Sequence, residues 1–254
     1  MELLVKREYF HSKTEFPCGV GEILTEFING VATRQINHPD NGVFYASSSV
    51  QDWNQDVGFL LFDGMKDELD ISPSDEIKKE DFESCWKIAV GNSPQGQSII
   101  YKAGDAVVPQ QNSTLIAHVV NNRGKWGRGF EISLGEKYAV ARDSYLDMFL
   151  EGQWPPLGMV QFLSVDGGRR IYVANMVSQD GIYENDVIDA QCISRPDLRN
   201  CLTQVCEFAL LNRLSVQMPM IGAGLGGGNW DVISDEIAEI FSYYKLTCTV
   251  FKHL

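Results

Sequence analysis

Two glycine-rich segments hold the residue types best suited to chemistry in this chain. They are His118-Val-Val-Asn-Asn-Arg-Gly-Lys-Trp-Gly-Arg-Gly129 and Pro219-Met-Ile-Gly-Ala-Gly-Leu-Gly-Gly-Gly-Asn-Trp230. Each follows an apolar, strand-like run and precedes a helical pattern. Glycine lets a backbone approach a ligand closely and turn its N–H groups inward. The helix that follows adds the positive end of its dipole. Two such loops on neighbouring strand ends can hold a pyrophosphate between them, in the crevice at the carboxyl ends of the strands where open α/β sheets take ligands. Neither loop has the Gly-Lys-Ser/Thr ending of a P-loop. The second lacks the acidic residue that a Gly-x-Gly-x-x-Gly dinucleotide fingerprint carries about 20 positions on.

The side chains around the first loop admit acid–base work. His118 titrates near neutrality and can act as general base or acid, or it can be a histidine satisfied within its strand. Asn121, Asn122, Arg123 and Gln179 supply hydrogen bonds. Arg123, Lys125 and Arg128 can neutralise a phosphate, or be ordinary solvated loop charge. Metal chemistry finds no support: the six cysteines, Cys18, Cys85, Cys192, Cys201, Cys206 and Cys248, form no C-x-x-C pair, and no histidine follows at zinc-finger spacing. No metal and no cofactor are expected. Several of these cysteines sit inside apolar patterns and read as reduced structural residues of a cytoplasmic protein.

A net charge of −13 argues against general nucleic-acid binding, which rests on a basic surface. It leaves room for a small anion held by backbone N–H groups. No run approaches the roughly 20 apolar residues of a membrane helix, and charge within Met1 to Glu8 argues against a secretory signal.

The elements that must position these loops fall into two sets. Residues 1–95 read as a small α+β domain. It has strand-like runs at Leu3–Phe10, Val43–Ala46 and Gly58–Phe62, a helix or strand at Gly19–Ile28, and a turn at His38–Gly42. After Ser74 comes a helix with Ile77, Phe82 and Trp86 as core positions. The turn formers of Gly91–Gln97 mark a linker. In residues 96–254 short apolar runs alternate with helical patterns. Strands are expected at Ile99–Tyr101, Leu115–Val120, Met159–Val165, Ile171–Ala174, Val216–Ile221 and Thr247–Phe251. Helices are expected at Phe130–Tyr138, Ser144–Glu151, Leu198–Leu211 and Val232–Tyr244. That alternation predicts an α/β sheet covered on both faces.

Four motifs in this order carry a family resemblance: Tyr101-Lys-Ala-Gly-Asp105, the His118–Gly129 segment, Ala174-Asn-Met-Val-Ser-Gln179 and Met218-Pro-Met-Ile-Gly-Ala-Gly-Leu-Gly226. Together they resemble macro domains, and most nearly the branch of ADP-ribose-1″-phosphate processing, phosphatase-like proteins. The resemblance spans residues 99–254 and implies a three-layer α/β/α sheet. The preceding part resembles only an uncharacterised small domain ending in a Phe-x-x-x-Trp helix, which implies no function.

Residue by residue, the resemblance implies that Asp105 accepts a hydrogen bond from the adenine amino group; an aspartate after glycine can equally be a turn cap. Asn121 would face the distal ribose. Gly127 and Gly129 would pass beneath that ribose and the diphosphate. Gly222, Gly224, Leu225 and Gly226 would form the second phosphate loop. Phe251 would pack on adenine or simply fill the core. Trp126 would close over the sugar or anchor its loop. His118 and Asn121 are the catalytic candidates, with Arg123 and Gln179 completing the ligand shell.

A related branch that removes ADP-ribose from carboxylates uses a strand lysine and an aspartate after Gly-x-Gly-Leu. Here Gly226 takes the aspartate's place and Ala174–Gln179 holds no lysine, so that mechanism is not implied. The cations of the first loop hint at a ligand more charged than ADP-ribose itself. The expectation is a hydrolase of ADP-ribose derivatives, of the ADP-ribose-1″-phosphate phosphatase or ADP-ribosyl hydrolase type. The alternative is a non-catalytic reader of ADP-ribosylated substrates, with residues 1–95 open to a protein partner.

Overall fold

The computed structural model describes residues 5–40, 42–93, 96–150, 152, 154–181, 193–222 and 228–252. The chain divides into two compact units, one of Met1–Gly96 with Ser242–Leu246 and one of Gln97–Phe241 with Thr247–Leu254.

In the first unit an antiparallel sheet runs β1 (Arg7–Phe16), β2 (Gly19–Ile28), β3 (Val31–Pro39) and β4 (Tyr45–Ser47) in that order. Gly19–Ile28, open between helix and strand in sequence, is a strand. Its hairpin to β3 turns on Asn29 and Gly30, both at positive φ (50° and 81°), the backbone of a two-residue turn that Asn-Gly favours. A small ribbon, β5 (Trp53–Asn54) and β6 (Gly58–Phe59), follows. The helix α1 (Lys79–Asn92) presents Phe82, Trp86, Ala89 and Val90 to Tyr9, Leu24, Ile36 and Ala46 of the sheet. These helix positions recur at the spacing of one buried stripe.

The core of this unit contains a charge. Arg34, 1% exposed, pairs with both carboxylate oxygens of Glu26 at 2.8 Å and with Glu83 at 2.7 and 3.2 Å. Its guanidinium lies 5.0 to 6.0 Å from the ring centres of Phe82, Trp86, Tyr243 and Tyr244. Burial would push the Glu26 carboxyl up, but the hydrogen bonds and charge of Arg34 outweigh it and hold it below the usual range. Tyr243 and Tyr244 belong to the returning segment 242–246, where the indole of Trp86 donates to the Tyr243 carbonyl at 2.8 Å.

The second unit is a three-layer α/β/α sandwich. Its elements are β7 (Ile99–Ala103), β8 (Thr114–Asn121), α2 (Phe130–Lys137), α3 (Ala139–Leu150), β9 (Val160–Asp166), β10 (Ile171–Gln179), α4 (Arg195–Asn212), β11 (Ser215–Pro219), α5 (Trp230–Tyr243) and β12 (Cys248–Lys252). The sheet order is β7-β12-β11-β8-β10-β9, parallel except at the β9 edge. Successive residues of β10 face opposite layers. Ile171, Val173 and Val177 pack with Leu134, Ala141 and Tyr145 of α2 and α3. On the other face Phe208 of α4 stacks on Phe162 at 4.0 Å and meets the edge of Tyr172.

Among the described residues no helix is long and apolar enough to cross a membrane. Cys201, Cys206 and Cys248 are buried free thiols, Cys85 is half-buried and Cys18 exposed; Cys192 lies outside the described residues.

Candidate functional site

Parallel pairing brings the singled-out residues to one edge of the sheet. In register, Asn121 stands opposite Gln179, Pro219 opposite Phe251, and Phe251 opposite Lys102. The loops leaving β7, β8, β10 and β11 therefore start side by side at the strands' carboxyl ends, where such a sheet takes its ligands.

The first loop is organised by Asn121, which is 5% exposed. Its Oδ1 accepts from the Arg123 N–H at 2.9 Å and the Lys125 N–H at 3.2 Å, and its Nδ2 donates to the Lys125 carbonyl at 2.7 Å. The Tyr145 hydroxyl reaches the Asn121 carbonyl at 2.6 Å. The side chain expected to face a ribose thus spends most of its bonding capacity on its own loop. Asn122 ties that loop to the end of β10. Its Nδ2 donates to Asp180 at 2.9 Å, and its Oδ1 accepts from the Gly181 N–H at 3.0 Å. Gln179 donates to the Gly181 carbonyl at 3.3 Å. Arg123 stands 3.6 Å from the Asp180 carboxylate, so the loop's cations do not form an unopposed positive cluster.

His118 lies in the interior, 2% exposed. Its Nε2 meets the Asn175 Oδ1 at 2.6 Å, and its ring packs against Trp126 and Phe130. Asn175 continues through its Nδ2 to the Ala141 carbonyl at 2.9 Å and to Gln161 at 3.0 Å. Burial lowers the imidazole to about 4, against the smaller opposing pull of the Asn175 bond. At neutral pH the ring is uncharged and carries its proton on Nε2 toward Asn175. The ring is thus bonded and packed within the interior, the arrangement of a histidine satisfied within its strand.

Trp126 is tied to the same cluster. Its ring packs on Tyr145 as well as His118, and its indole N–H donates to the Glu131 carbonyl at 2.8 Å. These contacts anchor the loop. The remaining loop glycines differ sharply in their surroundings. A Cβ on Gly124 would strike the Phe149 ring at 2.7 Å, whereas at Gly127 and Gly129 nothing lies within 4 Å. Both of these have positive φ, 121° and 55°. Open space therefore faces the backbone where a ligand is expected. The amides of Gly127 and Arg128 donate to the Glu131 Oε2 at 3.0 and 3.4 Å. Sequence reasoning passed over Glu131, although a carboxylate two residues beyond Gly129 is a natural partner for loop amides.

Asp105 follows Gly104 at the end of β7 and is exposed. Its Oδ1 accepts from the Val107 N–H at 2.9 Å, the turn bond of an Asx residue. The loop it opens is clamped by Gln217 of β11, whose Nε2 donates to the Ala106 and Val108 carbonyls and whose Oε1 accepts from Gln110. Gln217 was not singled out in sequence. Phe251 is 3% exposed, and a Cβ on Gly104 would touch its ring at 3.5 Å. At the ends of the second loop the Gly228 N–H donates to the Gly222 carbonyl at 2.9 Å. Gly224, Leu225 and Gly226 lie outside the described residues.

Among the described residues no group of His, Cys, Asp or Glu is placed to hold a metal ion. The first unit holds a separate cavity of about 650 Å³ lined by Phe10, Phe27, Phe59, Leu61, Phe62 and Gln35 among others.

No protein-family profile matches the chain. It is 25% identical over 166 residues to the human ADP-ribose glycohydrolase OARD1, an alignment covering 64% of this chain and 97% of that protein. A solved structure of a Bacteroides thetaiotaomicron protein of unknown function is 34% identical, with a TM-score of 0.57 over 63% of this chain and 99% of that one. The structure of a macrodomain protein from Streptomyces coelicolor is 28% identical, with a TM-score of 0.52 over 61% and 99%. With the sheet order and the two loops, these likenesses define the class: the chain carries a macro domain. About three-fifths of its length is accounted for in this way.

Proposed function

We propose that the macro domain binds ADP-ribose or a close derivative at the carboxyl edge of its sheet and hydrolyses the bond that links it to a further group. The observation that carries the reading is the convergence of exposed Asp105, the open backbone at Gly127 and Gly129, and Gly222, bonded to Gly228, on one edge. Adenine would lie by Asp105 and Phe251, the diphosphate between the loops, and the distal ribose toward Asn121 and Gln179. The name of the human relative, a glycohydrolase, favours hydrolysis over mere reading. In this proposal Asn121 and His118 are positioning residues. Asn121 shapes the first loop, and His118 supports it from within.

Calorimetry with ADP-ribose tests the binding part, with a dissociation constant below about 1 mM expected. The absence of heat at that concentration would remove it. Release of ADP-ribose from a peptide modified on a carboxylate, run beside phosphate release from ADP-ribose-1″-phosphate, tests the chemistry. Binding without turnover of either would leave a reader.

A further inference from the structure

We infer that Glu131 is a built-in competitor for the first glycine loop, a carboxylate seated on amides that an anionic ligand must take over. The inference rests on the proposed ADP-ribose site and adds how occupancy of that site is controlled. A carboxylate near a helix start ordinarily satisfies the orphan amides of the helix's own first turn. Glu131 does otherwise. It is the second residue of α2, whose N-cap is Gly129, and it reaches backward past that cap to the amides of Gly127 and Arg128. Those two donors belong to the loop.

The surroundings agree with a displaceable occupant. A Cβ added at Gly127 or Gly129 would meet nothing within 4 Å, so the backbone there is open to a ligand on that side. The carboxylate is also poorly housed. Burial pushes the Glu131 carboxyl up, and the amides of Gly127 and Arg128 with the Arg128 charge offset this only in part. A ligand phosphate offering more oxygens to the same amides would release Glu131 toward solvent. The backbone carbonyl of Glu131 would stay on Trp126, keeping the helix start in place while the side chain swings away.

The test is ADP-ribose affinity by calorimetry for the full-length wild type, Glu131→Ala, Glu131→Gln and Glu136→Gln. The last removes the same charge from an exposed position of the same helix. Competition predicts that Glu131→Ala binds at least about fivefold tighter than wild type. Glu131→Gln, whose amide oxygen can still accept from the loop, should fall between them, and Glu136→Gln should stay within about twofold of wild type. Tighter binding by an alanine variant that melts lower than wild type would separate competition from general stabilisation. Unchanged or weaker binding in both Glu131 variants, with wild type still binding, overturns the inference and leaves the ADP-ribose reading standing. An equal gain in Glu136→Gln overturns it too, since bulk charge would then suffice. Failure of all four proteins to bind overturns both readings, because a competitor requires a site.

Discussion

The Tyr145 hydroxyl lies 2.6 Å from the backbone oxygen of Asn121 and 3.1 Å from its Oδ1, so α3 holds the strand end from which the first loop departs. Tyr145 is fully buried, and a hydrogen bond in such a setting is worth on the order of 1 kcal/mol. Tyr145→Phe should lower stability by about that amount in urea unfolding and weaken ADP-ribose binding, because the loop loses its brace. Loss of stability with intact affinity would show that the loop holds its shape without α3.

Substituting glycines should separate packing from ligand contact. Gly222 has φ 68°, and a Cβ there would press on Ile233 at 2.9 Å and Ile193 at 3.1 Å. Gly222→Ala is expected to cost about 2 kcal/mol or more and to abolish binding. At Gly127, where φ is 121° and nothing lies within 4 Å, alanine should cost about 1–3 kcal/mol of backbone strain alone while reducing affinity at least about tenfold. Melting temperature and calorimetry on both variants check this; equal affinity losses scaling with stability would argue against a ligand at Gly127.

Asp105 can be split into its two roles. Asp105→Asn keeps an oxygen for the Val107 N–H but removes the carboxylate. Stability should be unchanged and affinity for ADP-ribose should fall about tenfold. An analogue with hypoxanthine in place of adenine, lacking the amino donor, should bind wild type and variant alike. A variant with full affinity would leave Asp105 as a turn cap alone.

His118 governs a pH effect on folding. Its folded value is about 4, against an ordinary 6.5, so the unfolded chain binds more protons between those two pH values. Stability from this residue is complete above about pH 6.5, falls as pH drops toward 4, and is flat below. The whole loss is roughly 3 kcal/mol. Denaturant midpoints of wild type and His118→Gln, compared from pH 7 to 4.5, should converge as pH falls. Parallel curves would mean that the imidazole is not held neutral.

In the first unit, Arg34→Met should leave Glu26 buried without its main counter-charge and cost about 3–5 kcal/mol. Chemical denaturation followed by tryptophan fluorescence measures this, since Trp86 lies 5.1 Å from the guanidinium. A loss under about 1 kcal/mol would show that Glu26 finds another partner or takes up a proton.

Much of the second unit was legible because each strand and helix there has its own apolar period, and parallel strands read as unbroken apolar runs. The loops were legible as glycine clusters. What a single residue does inside them was not. Nothing in a linear pattern says whether His118 faces a crevice or Asn175, and strand alternation alone allowed either. Trp126 between glycines likewise left closing and anchoring open until its indole met the Glu131 carbonyl. Partners distant in sequence, such as Gln217 with Ala106 and Tyr145 with Asn121, carry no local signature. In the first unit β3 escaped attention although Asn29-Gly30 between apolar residues is a hairpin signal. Its strand reads Thr33-Arg-Gln-Ile-Asn37, with a buried arginine and polar neighbours, which hides the alternation that marks most strands.

The short return of residues 242–246 into the first unit changes what a protein engineer can do with this chain. Cutting at the Gly96/Gln97 boundary would not yield two self-sufficient modules. The N-terminal fragment would lose two of the four aromatic rings around Arg34 and the carbonyl that receives the Trp86 indole. The two units are interleaved in the polypeptide, so neither can be transplanted by a single fusion joint, and a working minimal version of the first would have to carry residues 242–246 grafted back to it.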